Sequence, residues 1–163
     1  MNVIFVEPFF PKNQREFVRG LVEAGATVVA IGESPREVLD DQRKGWLFDY
    51  IQVSSVCNEN EMIKAVKFVQ SKMWVDRMEA TIEAHMMPIA KVREACTIAG
   101  VSVETSYLCR DKTAMKEVLR QSEVSCAQSI GSGDVTEITE FAGRVGYPLI
   151  IKPRSGAGAS GTF

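Results

Sequence analysis

Several residue types are scarce in this chain, and each scarcity removes a class of function. A single histidine, His85, stands among 163 residues, which excludes a histidine-rich metal centre. The four cysteines, Cys57, Cys96, Cys109 and Cys126, are scattered singly with no C-x-x-C pair. They read as reduced cytosolic thiols, not as a zinc site or a disulfide framework. No apolar run approaches the roughly 18 residues of a membrane span. The opening Met1-Asn-Val-Ile-Phe-Val-Glu7 lacks a basic flank and meets an acid early, so it reads as a first strand and not as a secretion signal. Lysine and arginine number 19 against 21 acids, a formal net charge of -2. With no basic run, nucleic acid and membrane surfaces are excluded as partners. What is left is 45% hydrophobic and 25% charged, the composition of a soluble cytoplasmic protein that works on small molecules.

From residue 1 to about 105, short apolar runs alternate with amphipathic stretches. Val3 to Val6, Thr27 to Ile31, Tyr50 to Val53 and, more weakly, Val75 to Ile82 read as strands. Between the first two, Phe17, Val18, Leu21 and Val22 recur at helical spacing, with Asn13 and Glu16 spaced as a capping box and Gly25 as the stop. Ser34-Pro35-Arg36-Glu37 and Asn58 with Glu61 give two further helix starts. Ile89, Val92, Cys96 and Ala99 form a stripe that Gly100 is expected to end. Strand–helix alternation of this kind predicts a parallel, Rossmann-like sheet with helices on both faces. The turn Glu7-Pro-Phe-Phe-Pro-Lys12 is too bulky for the close approach of a pyrophosphate, so a dinucleotide-dependent oxidoreductase is disfavoured. Glu33, after the second strand, is then a solvated loop acid in preference to a ribose ligand. His85 has no carboxylate or serine at motif spacing, which leaves little support for a general base.

After Asp111 the pattern changes. Met115, Val118 and Leu119 share a helix face, Asp134 and Glu137 open a second helix that Gly146 ends, and Pro148 to Lys152 reads as a strand. Lys152 leads into Pro-Arg-Ser155-Gly-Ala-Gly158-Ala-Ser-Gly161-Thr-Phe163. Small residues let backbone N–H groups approach phosphate oxygens, and the lysine adds a mobile positive charge. This is nucleotide-phosphate chemistry, but Lys152 precedes the glycines, unlike the usual G-x-x-x-x-G-K-[ST] loop.

Three segments in this order, Arg110-Asp111-Lys112-Thr-Ala-Met115-Lys-Glu-Val-Leu119, Phe141-Ala-Gly-Arg-Val-Gly-Tyr-Pro148 and the glycine-rich stretch after Lys152, resemble the opening of the ATP-grasp superfamily. Its members include biotin carboxylases, carbamoyl-phosphate synthases and carboxylate–amine ligases. The resemblance implies a Rossmann-like pre-ATP-grasp domain over residues 1–106 and the start of an ATP-grasp domain, an incomplete small lobe, over residues 107–163. It implies ATP contacts by Lys112, Lys152, Ser155, Gly156, Gly158, Ala159, Ser160 and Gly161, the loop covering the phosphates through its amides. Arg154 stays ambiguous, and Glu83 is equally a family acid or a solvated helix-start residue.

The activity so implied is that of an ATP-dependent ligase: a carboxylate or bicarbonate is activated as an acyl phosphate, and an amine or other nucleophile attacks it. ATP and Mg2+ are the implied cofactors, with the acidic Mg2+ ligands expected beyond residue 163 and no metal ligand within the chain. The chain is accordingly expected to be a portion of a longer or split enzyme, inactive alone, working as a homodimer or with a chain that completes the fold. The rival expectation is a non-catalytic nucleotide-binding or assembly module.

Overall fold

The four β-branched runs of the first hundred residues become one sheet. The computed structural model describes residues 1–156 and 161–163. Strands β1 (Asn2–Val6), β2 (Thr27–Gly32), β3 (Leu47–Gln52) and β4 (Arg77–Glu79) pair in the order β3-β2-β1-β4, and every pairing is parallel. The chain lays down β1, β2 and β3 in one direction and then returns past β1 to place β4. The strand order therefore reverses between β1 and β4, the place where open α/β sheets form a crevice at their carboxyl ends.

Both faces are covered, as parallel strands require. On one face, α1 (Gln14–Glu23) and α2 (Asp41–Trp46) flank a cluster of Phe5, Val18, Val28, Ala30, Leu39, Leu47 and Tyr50. On the other, α3 (Glu59–Gln70) and α4 (Met86–Ala95) bring Met62, Val66, Ile89 and Val92 against Ile4, Ile31 and Met78. The register slips between Val28 and Val29, where Leu47 and then Asp49 are the partners. This bulge at Phe48 lets Leu47 and Tyr50 share a face although they are three residues apart.

Several local expectations need correction. Asn13 does not cap α1 with its side chain: its own backbone is helical at φ -70 and ψ -10, which turns the amide away from the first free N–H groups. Ser34-Pro35 opens only a 3-10 turn, Arg36–Val38, before α2 begins at Asp41. Gly100 does not end α4, which stops at Ala95 with Thr97 at φ +55. Gly100 instead leaves room for Arg93, whose Cδ lies 2.7 Å from where a Cβ would stand. Gly25, at φ +81, does end α1, and the Asn58 side chain accepts from the Glu61 N–H at 3.2 Å.

The chain divides into two compact units, Met1–Val103 and Glu104–Phe163. In the second, α5 (Val103–Arg110) is followed by α6 (Lys112–Gln121) and α7 (Val135–Val145). Asp111 caps α6 through the N–H groups of Thr113 and Ala114, at 3.0 and 2.9 Å. Asp134 caps α7 in the same way, and Gly146 ends it at φ +81. The strand expected over Pro148 to Lys152 does not form a ladder among the described residues. Only Ile151 exchanges a pair of backbone hydrogen bonds, with Phe163 at 2.9 and 2.8 Å, and Ile150 and Ile151 remain exposed. Among the described residues, this one pair of bonds is too little to make the segment a strand.

Candidate functional site

In the second unit the residues singled out for phosphate binding are partly brought together. The Lys112 backbone N–H donates to the Arg154 carbonyl at 3.0 Å. Its ammonium donates to the carbonyls of Gly156 at 3.2 Å and of Arg154 at 3.4 Å. The N-terminus of α6 and the arm that follows Lys152 thus meet, although they are 44 residues apart in the chain. Arg154, ambiguous in sequence, clamps the arm: its Nε and one terminal nitrogen donate to the two oxygens of Asp111 at 3.0 and 3.2 Å. The backbone N–H of Ala114, then Arg154, hold the Asp111 carboxyl below the usual carboxylate range.

Lys152 itself is exposed and has no hydrogen-bond or ion-pair partner among the described residues. Ser155 and Gly161 are exposed and Gly156 half-buried. Gly158, Ala159 and Ser160 lie outside the described residues. Two ammonium groups beside a backbone-rich arm fit a polyphosphate in their donor chemistry. No cluster of three or more His, Cys, Asp or Glu side chains among the described residues is arranged to hold a metal ion.

The first unit carries a second candidate, a cleft of about 630 Å³ at the carboxyl ends of β1, β2 and β4. Composition and motif spacing gave no hint of it. Glu7, immediately after β1, is buried and adopts φ +58, a strained region for a non-glycine residue. Its N–H donates to the Ile31 carbonyl at 2.8 Å, and its Oε2 accepts from the Glu33 N–H at 3.1 Å. Glu33 in turn accepts from the Val56 N–H at 2.9 Å and the Ser55 hydroxyl at 3.2 Å. Behind this turn Gly32 leaves the backbone close to Tyr50: a Cβ there would lie 2.8 Å from its hydroxyl, which donates to the Ser34 carbonyl at 2.5 Å.

Across the cleft, Gln14 accepts from the Thr81 hydroxyl at 2.6 Å, and His85 presents a buried Nδ1 without a partner among the described residues. Burial pushes the His85 pKa down, against the pull of Glu7 and Glu33. Burial also pushes the Tyr50 hydroxyl up, and here the same two carboxylates add to the effect. This end of the sheet is therefore acidic, with a neutral imidazole at pH 7. Glu33 and His85, read from sequence as a loop acid and an unassisted histidine, are brought together here with Glu7.

No helix among the described residues is long and apolar enough to cross a membrane. Residues 111–163 match the family model for the carbamoyl-phosphate synthase L chain, ATP binding domain. An L-arginine-specific L-amino acid ligase from Bacillus subtilis is 31% identical over 88 residues, 54% of this chain and 21% of that protein. The carbamoyl phosphate synthase large chain of Caldanaerobacter subterraneus is 25% identical over 152 residues, 88% of this chain and 13% of that one. Among solved structures, the biotin carboxylase domain of the Hydrogenobacter thermophilus 2-oxoglutarate carboxylase, in complex with MgADP, ADP and bicarbonate, superposes with a TM-score of 0.78 at 18% identity, over 99% of this chain and 36% of that chain. The phosphoribosylglycinamide synthetase of Anaerococcus prevotii does so with a TM-score of 0.70 at 15% identity, over 93% and 36%. At these identities the structural likeness speaks for the fold. The chain spans about a fifth or less of the length of these two curated relatives. By the match of residues 111–163 and by these relatives, the chain is similar to ligases of the ATP-grasp superfamily, among them carbamoyl-phosphate synthase and the L-amino acid ligases.

Proposed function

We propose that this chain is the N-terminal portion of an ATP-dependent ligase that activates a carboxylate or bicarbonate as an acyl phosphate for attack by an amine or another nucleophile. In this reading residues 1–106 are the domain that precedes the ATP-grasp fold, and residues 107–163 are the opening of that fold. One observation carries the reading: the Lys112 ammonium lies 3.2 Å from the Gly156 carbonyl, so a lysine at a helix start and the glycine-rich arm after Lys152 meet within the segment that matches the family's ATP-binding domain.

Phosphoryl transfer asks a protein mainly for positioning and for positive charge where negative charge accumulates. ATP, when bound, supplies the phosphoryl group. Lys112 is held by two carbonyls and keeps a third N–H for a phosphate oxygen. Lys152 is an unengaged ammonium among the described residues, free to follow the phosphates. Ser155, Gly156, Gly158, Ala159, Ser160 and Gly161 would line the phosphates with backbone amides. The Mg2+ ligands are assigned to sequence beyond residue 163, and catalysis by residues 1–163 alone is not expected. A homodimer, or a partner chain that completes the cleft, fits the same reading.

The test is ATP-dependent release of ADP by the protein as its gene encodes it, assayed against bicarbonate and a panel of small carboxylates with and without amines. ADP release that requires both a carboxylate and Mg2+ and is lost in Lys152→Ala supports the ligase. Nucleotide binding without turnover under every combination would favour the non-catalytic module.

A further inference from the structure

Arg154 grips the start of α6 with its side chain and with its backbone. The guanidinium forks onto the two Asp111 oxygens at 3.0 and 3.2 Å, and Tyr107 is a further hydrogen-bond partner of the same group. The Arg154 carbonyl accepts from the Lys112 N–H at 3.0 Å and from the Lys112 ammonium at 3.4 Å. Asp111 and Lys112 are consecutive, so one residue of the arm fixes both the backbone that carries the lysine and the lysine's charged end.

These bonds leave α6 without a free N–H in its first turn. The Lys112 N–H goes to Arg154, those of Thr113 and Ala114 to the Asp111 side chain, and that of Met115 to the Asp111 carbonyl at 2.8 Å. A helix start ordinarily offers such groups to an anion, but here all four are taken. What α6 still presents to a polyphosphate is the Lys112 ammonium, which has one N–H uncommitted.

Stability does not account for the fork. The Arg154 side chain is 60% exposed and that of Asp111 11%, and an ion pair with an exposed partner adds little to folding. Asp111 also makes its cap bonds without help from Arg154. What two parallel bonds do supply is geometry, because they fix the plane of the guanidinium, which a lysine in its place could not do.

We propose that Arg154 is a positioning residue for the nucleotide: through Asp111 and through its own carbonyl it sets where the Lys112 ammonium meets a phosphate oxygen, without touching the phosphates itself. The inference deepens the ligase reading and rests on it for the identity of the ligand, ATP. The placement of Lys112 by Arg154 is independent of that reading.

Two measurements on the protein as its gene encodes it test this. The first needs no nucleotide: limited reductive methylation, with the extent at each lysine read by peptide mass spectrometry. Lys112, held by two carbonyls, is expected to react several-fold more slowly than the exposed Lys152. In Arg154→Ala the Lys112 rate should rise several-fold. Lys116, one turn further along α6 and held to the Ala127 carbonyl at 3.0 Å, should keep its rate. An unchanged Lys112 would overturn the proposal. So would a parallel rise at Lys116, which would mean that α6 as a whole had loosened.

The second measurement is the calorimetric affinity for MgATP. Arg154→Ala is expected to raise Kd about tenfold, and Arg154→Lys, which keeps the charge but loses the fork, about as much. In the Asp111→Asn background, which keeps the cap, Arg154→Ala should change Kd by less than about twofold, because the route through the acid is already cut. Wild-type affinity in Arg154→Lys, or the full loss in the Asp111→Asn background, would mean that Arg154 meets the phosphates directly, and the positioning role would fall. Unchanged affinity in Arg154→Ala would overturn that role and leave the ligase reading intact. Absence of saturable ATP binding in the wild type would overturn the ligase reading and the nucleotide role together, and the methylation contrast would still decide whether Arg154 places Lys112.

Discussion

Arg154 forks onto Asp111, Nε to one carboxylate oxygen at 3.0 Å and a terminal nitrogen to the other at 3.2 Å, while that same carboxylate caps α6. One acid thus fixes both the helix that presents Lys112 and the arm that follows Lys152. Asp111→Ala is expected to release both, and amide hydrogen exchange reads the result: protection at Thr113, Ala114 and Lys112 should fall together. Loss at Thr113 and Ala114 with Lys112 still protected would mean that the arm is held independently of the acid.

The pH dependence of that pair follows from its sign. The Asp111 carboxyl is depressed in the folded chain, chiefly by the Ala114 N–H and then by Arg154. Its contribution is therefore fully present above the unfolded carboxylate value of about 3.9 and is lost as pH falls through the lower folded value. Protection of the Ala114 amide, corrected for intrinsic exchange, should hold down to about pH 3.9 and fade below it. Asp111→Asn, which can still cap but has no charge, should be flat across the same window.

Lys152→Ala in the ligase as its gene encodes it should lower kcat by about 10² to 10³-fold, the scale of removing one preorganised donor from a transition state. Because Lys152 is exposed, stability should move by no more than about 0.5 kcal/mol. Lys112→Ala, which removes a lysine already partly satisfied by two carbonyls, should show mainly as a raised KM for ATP. Steady-state kinetics on both variants separate these outcomes, and near wild-type kcat/KM in Lys152→Ala would detach that lysine from the phosphates.

Gly100 shows how far local pattern reaches. It stands where a helix stop belongs, yet α4 ends at Ala95, and the glycine is needed because the buried Arg93 passes it to reach the carbonyls of Met78 and Val101, each at 2.9 Å. Gly100→Ala would set a Cβ 2.7 Å from Arg93 Cδ. Denaturant unfolding should show a loss of about 1 to 3 kcal/mol, the usual cost of overpacking. An unchanged midpoint would mean that Arg93 has another low-energy path.

The elements legible in the sequence are those whose causes are local. The Asn58 and Asp134 caps are readable because donor and acceptor lie two or three residues apart, and β1 and β2 because both their faces are apolar and buried. Leu47 escapes the strand pattern of β3, since the bulge at Phe48 breaks the alternation that marks a strand. The Lys112 and Lys152 segments were recognisable by motif, but the clamp between Asp111 and Arg154 spans 43 residues. The cleft was invisible for the same reason: Gln14 and Thr81 meet across 67 residues, and no spacing rule connects a helix start to a turn after the last strand.

His85 gives the cleft a pH signature of its own. Burial lowers its pKa in the folded chain while Glu7 and Glu33 oppose the shift. A histidine that resists protonation when folded binds fewer protons than the unfolded chain between the folded value and the unfolded value of about 6.5. Stability therefore rises with pH through that window and is complete above it, and it falls as pH drops from 6.5 toward the folded value. Carboxylates released from their hydrogen bonds contribute only at lower pH, near 4, so the two effects separate. Urea unfolding midpoints between pH 5 and 8 should show this slope in the wild type and lose it in His85→Gln, which has a polar side chain but no titration in the range. Neutralising one carboxylate in Glu33→Gln removes part of the opposing pull, so the His85 titration followed by imidazole proton NMR should move to lower pH. An unmoved titration in that variant would mean that Glu33 does not act on the imidazole, and the acidic cleft would lose one of its two walls.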